Sequence, residues 1–386
     1  MSDSQLPQIP YGRHVVDEDD VAAVVDVLCN QFLTQGLQVP AFEQRLCEYT
    51  GAAHAVAVNS GTSGLHIACL AAGVGAGDTV WTVPNSFVAS ANAARYCGAD
   101  VDFVDIDPLS RNICVAALAT KLDWAKQHNA VPKVLIVVHF SGASCDMQGI
   151  RALTEPHGIV LIEDAAHALG GRYQSKPIGS CQYSDMTVLS FHPVKSITTA
   201  EGGAVLTNRP QWAEQLVLFA KHGVTRDPKH MEGESDGDWY YQQVALGYNY
   251  RLSDIQAALG LSQMNKLDHF IQERRQLAAR YDAALQNMAV QRPLMNEGSA
   301  WHLYTIELRE HDRKTVFEGL RNKGIGVNVH YIPIHLQPYY RKLGFKPGQF
   351  PHAEDYYHRA ITLPLFPGLS ADEQDRVIQA LEEVLS

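Results

Sequence analysis

Short apolar runs alternate with amphipathic stretches between about residues 54 and 208. Several of these runs are continuously apolar, as expected for strands that helices cover on both faces. The pattern predicts strands at 55–58, 79–83, 101–104, 134–139, 159–162, 186–190 and 204–206. It predicts helices between them, for example at 65–72, 86–96 and 115–128. Such alternation is typical of a mostly parallel sheet enclosed by helices, which binds ligands beyond the carboxyl ends of its strands.

The pattern changes after residue 220. Residues 221–251 are rich in Gly, Asp and Tyr and lack periodicity, which indicates a long functional loop. A helix is predicted from about Ser253, a plausible N-cap, to about residue 286. Strands at 301–308 and 325–330 and a helix at 371–385 then predict a smaller domain. We therefore expect an N-terminal segment and large domain over 1–252, and a linking helix and small domain over 253–386.

Composition narrows the possible partners. The 386 residues are enough to bury a large core. The net charge is −11 and the chain has no basic runs interleaved with aromatic residues, so we do not expect it to bind nucleic acid. The N-terminus lacks a signal-peptide pattern, and no apolar run approaches the roughly 20 residues of a membrane span. Seven scattered cysteines without a C-x-x-C motif are typical of reduced thiols. We expect a cytoplasmic protein that is not embedded in a membrane, and we predict no metal site.

Residues 59–65, with the sequence NSGTSGL, follow a predicted strand and open a predicted helix. Their backbone N–H groups and the positive helix end could bind a phosphate. A tight strand-to-helix turn with a Ser/Thr cap explains the same residues. Because the segment matches neither the Walker pattern nor the dinucleotide fingerprint, any bound anion would be a small cofactor phosphate.

Two further positions suit a cofactor that acts as an electron sink. Asp164 ends an apolar run, where it could pair with a pyridinium or cap the next helix. His167, one helical turn on, could touch the cofactor ring or be a hydrogen-bonded histidine near a helix start. Most lysines are solvated, but Lys195 lies in a charge-poor segment between strands, where desolvation would leave a free amine. Pyridoxal phosphate (PLP) needs such an amine for its Schiff base and an anion beside its ring nitrogen.

These segments together resemble the DegT/DnrJ/EryC1/StrS family of nucleotide-sugar aminotransferases over nearly the whole chain. The motifs are LTQG at 33–36, SGTS at 60–63, TVPNSF at 82–87, EDAAH at 163–167, SFHPVK at 190–195, EGG at 201–203 and GYNYRL at 247–252. Their order and spacing are highly specific. The sequences FHPVK at 191–195 and VHYIPIHLQPYY at 329–340 are most similar to the subgroup that aminates C4 of a UDP-4-keto-6-deoxy-N-acetylhexosamine for pseudaminic acid synthesis.

The resemblance implies an α/β enzyme of PLP fold type I, with a mostly parallel seven-stranded sheet, helices on both faces and a smaller α/β C-terminal domain. It also implies a homodimer with active sites at the subunit interface. By position, Lys195 forms the Schiff base, Asp164 partners the ring nitrogen and His167 lies near the ring oxygen. The other implied cofactor contacts are Gly61, Thr62, Ser63, Phe87, Ser190 and, from the other subunit, Asn249. The implied substrate contacts are Thr34, Gln35, Arg251, His330 and Tyr331.

The implied reaction is transamination of the C4 ketone of a UDP-linked 2-acetamido-2,6-dideoxy-4-hexulose, with glutamate as amino donor. Another 4-keto or 3-keto sugar, linked to GDP or dTDP, remains open. His330 and Tyr331 could also be a strand end packed against the small domain. A sugar dehydratase of this family is disfavoured because such enzymes typically carry histidine at the position of Lys195. A PLP-binding protein without turnover is disfavoured because the lysine, the aspartate and the phosphate turn are all present.

Overall fold

A seven-stranded sheet forms the centre of the protein in the computed structural model, which describes residues 8–386. Its strands are β1 (His54–Val58), β2 (Thr79–Thr82), β3 (Asp100–Phe103), β4 (Val134–Val138), β5 (Val160–Asp164), β6 (Met186–Ser190) and β7 (Gly203–Thr207). They lie in the order β1-β7-β6-β5-β4-β2-β3, and β7 runs opposite to the other six strands of this sheet. The mostly parallel sheet is thus confirmed.

Helices cover both faces of this sheet, as predicted. They are α1 (Glu18–Asn30), α2 (Gln38–Thr50), α3 (Gly61–Ala71), α4 (Ala89–Tyr96), α5 (Val115–Gln127), α6 (Met147–Thr154), α7 (Pro210–Ala220) and α8 (Asp254–Met264). The inner strands are apolar because both of their faces are covered: all five residues of β4 are buried. Separate apolar clusters fill the space between the strands and the helices.

The C-terminal part has its own sheet and core. Strands β8 (Val290–Gln291), β9 (Tyr304–Leu308) and β10 (Ala360–Leu363) pair antiparallel in that order. Its helices are α9 (Leu267–Ala284), α10 (Arg313–Asn322), α11 (Pro338–Arg341), α12 (Pro351–Arg359) and α13 (Ala371–Leu385). Ile9 belongs to the same apolar cluster as Tyr281 and Ile306, so the start of the described chain packs on this C-terminal unit.

Two predicted elements differ from the structure. The single helix predicted from Ser253 to residue 286 is two helices, α8 and α9, separated at Asn265 and Lys266. The amine of Lys266 turns back to pair with Asp17 and, at 3.0 Å, with Asp20, which ties this break to α1. The strand predicted at 325–330 forms only single bridges, because this segment leaves the small sheet and runs towards the main cavity.

Residues 221–251 are largely irregular, as the sequence predicts. They contain one two-residue strand pair, Val224–Thr225 with Gln242–Gln243, and one turn of 3₁₀-helix. A second short hairpin, Arg172–Tyr173 with Lys176–Pro177, lies apart from the central sheet. None of the helices between residues 8 and 386 is long and apolar enough to span a lipid bilayer.

Candidate active site

A cavity of about 540 Å³ opens at the carboxyl edge of the central sheet. The loops after β1, β2, β5 and β6 converge there, as expected for ligand sites of parallel sheets. The sequence-predicted residues that line it are Gly61, Thr62, Phe87, Asp164, His167, Ser190, Lys195, His330 and Tyr331. Two larger clefts, of about 820 and 730 Å³, lie elsewhere and contain neither Lys195 nor Asp164. This cavity is therefore the candidate active site because the predicted residues meet in it, and not because of its volume.

The turn after β1 forms one wall of the cavity. Ser60 caps α3, and its Oγ accepts a hydrogen bond from the N–H of Ser63 at 3.1 Å. The N–H groups of Gly61 and Thr62 begin the helix, where no intrahelical acceptor exists. Gly203 lies against this turn so closely that a Cβ on it would be 2.6 Å from the Gly61 nitrogen. The sequence folds here into a tight turn with free amides at a positive helix end, which suits a phosphate.

Lys195 reaches the cavity from the loop between β6 and β7. Its side chain is partly buried and lines the cavity. Burial lowers the pKa of Lys195 from 10.5 to about 8, the negative charge of Asp164 opposes this lowering, and the positive charge of Arg274 adds to it. An appreciable fraction of this amine is therefore unprotonated near neutral pH, as a nucleophile or base requires.

Asp164 lies at the end of β5, where the strand delivers its carboxylate to the floor of the cavity. Its Oδ2 accepts a hydrogen bond of 2.7 Å from the hydroxyl of Ser90, and its Oδ1 accepts one of 3.2 Å from the N–H of Ala166. The side chain is nearly buried, at 6% exposed. These bonds hold a negative charge at the sheet edge without a cation paired to it in the described residues.

Histidines form the wall opposite the phosphate turn. His167 Nε2 is 3.1 Å from the hydroxyl of Tyr331, and the rings of His167 and His302 are 4.3 Å apart. His330 Nδ1 is 2.8 Å from the hydroxyl of Thr362. Burial, aided by the charge of Lys195, lowers the pKa of His330 to about 3 and that of His167 far below its usual range. These imidazoles are therefore neutral and act as hydrogen-bonding groups.

Known proteins match this chain over nearly its whole length. The DegT/DnrJ/EryC1/StrS aminotransferase family profile matches residues 14–382. The chain belongs to this family. It is 36% identical to the spore coat polysaccharide biosynthesis protein SpsC of Bacillus subtilis, over 98% of this chain and 97% of SpsC.

Solved structures agree with this assignment. The fold matches that of Helicobacter pylori PseC, an aminotransferase involved in the biosynthesis of pseudaminic acid, with a TM-score of 0.89, 32% identity and coverage of 98% of this chain and 99% of PseC. It also matches the pyridoxamine-phosphate form of the putative sugar aminotransferase Spr1654 of Streptococcus pneumoniae, with a TM-score of 0.88, 29% identity and 98% of each chain covered. The protein is a PLP-dependent sugar aminotransferase.

The cavity of this aminotransferase fits its cofactor. Two buried ring nitrogens of its lining residues, His167 Nδ1 and His302 Nδ1, have no hydrogen-bond partner within residues 8–386. Unpartnered buried groups are costly unless a ligand satisfies them. Phe87 is 59% exposed although it is a large apolar ring, and it lines the same cavity. A phosphate turn, an amine, a carboxylate and a bare aromatic face are the groups that PLP requires.

Five sequence-predicted residues do not line the cavity of their own chain: Thr34, Gln35, Ser63, Asn249 and Arg251. The hydroxyl of Ser63 is used inside the turn, where it donates to Asn59 Oδ1 at 2.6 Å. Thr34, Gln35 and Asn249 are exposed, and Arg251 is half-buried.

The structure adds cavity residues that sequence reasoning did not assign, including Tyr11, Ser86, His302 and Asn328. Tyr11 and His302 come from segments far from the motifs, and no local signal marked them. Ser86 stood inside a recognised motif without an assigned role. The hydroxyl of Ser90, which bonds Asp164, lies four residues further on.

Proposed function

We propose that this aminotransferase converts the C4 ketone of a UDP-linked 2-acetamido-2,6-dideoxy-4-hexulose to an amine, with glutamate as amino donor. The observation that carries the proposal is the meeting of Lys195 and Asp164 in one cavity beside the turn at Gly61 and Thr62. The similarity to PseC supports the sugar and a role in pseudaminic acid synthesis. This function needs a cofactor site and a sugar site that share one base.

In this proposal the turn at Gly61 and Thr62, together with Ser190, holds the cofactor phosphate. Phe87 would pack against the cofactor ring, Asp164 would partner the ring nitrogen, and His167 would lie near the ring oxygen. When bound, PLP supplies a carbonyl carbon for covalent attachment to amines and a cationic ring that accepts electrons from the bond being broken.

Lys195 is proposed to act both as the attachment point and as the base. Its pKa of about 8 leaves part of the Nζ population unprotonated at neutral pH. The amine can therefore take the proton from Cα of glutamate and later deliver a proton to C4 of the sugar. One base suffices because the two half-reactions are the same proton movement in opposite directions. Asp164 would supply the anion that stabilises the cationic cofactor ring.

The remaining wall is proposed to bind the sugar. His330 and Tyr331 line the cavity, and the low pKa of His330 makes it a neutral hydrogen-bonding group. Neutral donors and acceptors suit hydroxyl, amide and carbonyl groups of an acetamido sugar. Among residues 8–386, no arginine lines this cavity, although a UDP diphosphate needs positive charge. That charge would come from elsewhere in the assembly.

We infer that the partner subunit of a homodimer completes the site. Phe32, Leu37, Trp239 and Leu246 are between 72% and 82% exposed, which is unusual for large apolar side chains and supports an interface. Phe32 and Leu37 flank the Thr34 and Gln35 positions, and the other two belong to the irregular segment 221–251. The proposal therefore has Thr34, Gln35, Asn249 and Arg251 serving the active site of the other subunit.

Substrate profiling tests the reaction. Purified protein is incubated with glutamate and the UDP-linked 4-keto-6-deoxy-N-acetylhexosamine epimers, and in parallel with GDP- and dTDP-linked 4-keto and 3-keto sugars. NMR of the products identifies the amino sugar and the configuration at C4. We expect amination of a UDP-linked 4-keto sugar and no turnover by Lys195→Ala. Turnover confined to a GDP- or dTDP-linked sugar would show the UDP assignment to be wrong.

Mixing two inactive variants tests the shared site. Lys195→Ala removes the base of one subunit, and Asn249→Ala removes the contact proposed for the other. If Asn249 acts across the interface, re-assembled mixtures recover about a quarter of wild-type activity, because half of the dimers are mixed and each has one intact site. No recovery, with mixed dimers demonstrated by native mass spectrometry, would place Asn249 in its own subunit's site, and full activity of Asn249→Ala by itself would place it outside any site.

A further inference from the structure

Two buried serine hydroxyls form a chain that ends on Asp164. Ser90 lies in the first turn of α4 and is fully buried, and its Oγ is 2.7 Å from Asp164 Oδ2. Ser86, 3% exposed, lies in the loop between β2 and α4 and its Oγ is 2.8 Å from Ser90 Oγ. The chain Ser86–Ser90–Asp164 runs along the cavity wall, since Ser86 and Asp164 both line the cavity.

Hydrogen-bonding capacity fixes the direction of this chain. An ionised carboxylate can only accept, so Ser90 donates its one proton to Asp164. Ser90 then has only lone pairs to offer, and Ser86 must donate to it. Each donation polarises the next hydroxyl, which strengthens the final bond to the carboxylate. Ser90 is the one side chain among residues 8–386 that donates a hydrogen bond to Asp164.

We propose that Ser86 and Ser90 are positioning residues that hold the Asp164 carboxylate in register with the cofactor ring nitrogen. This inference rests on the proposed role of Asp164. The Ala166 N–H contacts the other carboxylate oxygen at 3.2 Å, which is a longer bond than that of Ser90. Without the Ser90 hydroxyl, one oxygen loses its donor and the carboxylate can rotate away from the ring. Ser86 acts only through Ser90.

Single and double serine variants test this relay, in which Ser86 acts on Asp164 only through Ser90. Two properties of Ser90→Ala, Ser86→Ala and the double variant are measured: the affinity of the apoprotein for PLP, and the rate of the absorbance change when glutamate meets the PLP-loaded protein. We expect Ser90→Ala to lower both by about tenfold, the loss typical of one hydrogen bond to a charged group. Ser86→Ala should lower them roughly two- to threefold, because it weakens that bond without removing it.

The double variant decides between a relay and two independent contacts. In a relay it matches Ser90→Ala, because Ser86 has nothing left to act through. The matched control is Thr154→Val, which removes a buried hydroxyl that bonds only within α6 and should change neither property. Ser90→Ala indistinguishable from wild type, or losses that multiply in the double variant, would overturn the proposal.

Two further outcomes remain decisive. If Ser90→Ala does not fold, Ser86→Ala alone decides: unchanged values in a stably folded variant refute the relay, and the expected partial loss supports it. If wild-type protein does not respond to glutamate, the proposed amino donor is wrong. The PLP affinities of the same variants still test the relay, because they involve no amino donor.

Discussion

Replacing Lys195 by methionine should stabilise the cofactor-free protein at neutral pH. Methionine fills a similar volume without a charge, whereas the Lys195 amine must be held in a buried site. A group whose pKa falls from 10.5 in the unfolded chain to about 8 in the folded one opposes folding whenever it is protonated. At 1.36 kcal/mol per pH unit, the penalty that methionine removes is up to about 3 kcal/mol.

The pH dependence is the decisive part of this prediction. At pH 7 and below, the lysine is mostly protonated in both states and the penalty is nearly complete. As pH rises from about 8 towards 10.5 the folded protein releases its proton first, so the penalty shrinks to roughly half by pH 9.5 and vanishes above 10.5. The advantage of Lys195→Met over wild type should therefore be largest near pH 7 and shrink steadily above pH 8.

The assay is urea unfolding of apoprotein at pH 7, 8, 9 and 9.5, with the cofactor removed so that Lys195 is free. Lys314→Met is the matched control, because the Lys314 side chain is 81% exposed and its loss should have no such pH dependence. A stability difference between Lys195→Met and wild type that stays constant from pH 7 to 9.5 would refute the reasoning. So would a methionine variant that is less stable than wild type at pH 7.

Three other substitutions probe the site and its support. Asp164→Asn should lower the rate with glutamate by on the order of 100-fold without unfolding the protein, measured by stopped-flow absorbance and circular dichroism, since an amide cannot stabilise a cationic ring. Glu163→Gln should cost roughly 3–5 kcal/mol in urea unfolding, because Glu163 pairs with buried His139 at 2.6 Å. Gly203→Ala should weaken PLP binding roughly tenfold or more by pushing into the phosphate turn. PLP binding is measured by equilibrium titration, and the control is Gly75→Ala, because a Cβ at Gly75 meets only open space.

The seven central strands were predictable because buried parallel strands leave an unmistakable pattern. Residues 134–138 read VLIVV, which only a strand or helix covered on all sides can bury, and the spacing of such runs indicated the alternation with helices. Asp164 and Lys195 could be identified because each follows such a run, and the carboxyl edge of the sheet is where strand ends meet. Local sequence patterns and topology rules were therefore enough to predict this part of the fold.

The errors arose where local pattern did not decide the outcome. The break between α8 and α9 carries no proline or glycine, and Lys266 at this break pairs with Asp17 and Asp20 from the other end of the chain. Residues 325–330 have the β-branched composition of a strand. They form only isolated bridges because they carry Asn328 and His330 into the cavity. Both outcomes depend on contacts between residues that are distant in sequence.

The sequence by itself determined the sheet, the family and the residues that follow the strand ends, because hydrophobic period and motif order are local properties. Only the tertiary structure decided which distant groups surround those residues. Ser90 reaches Asp164 across 74 positions and His302 lies against His167. The lowered pKa of Lys195 likewise needs the whole fold, since desolvation is produced by every segment that excludes water from the amine.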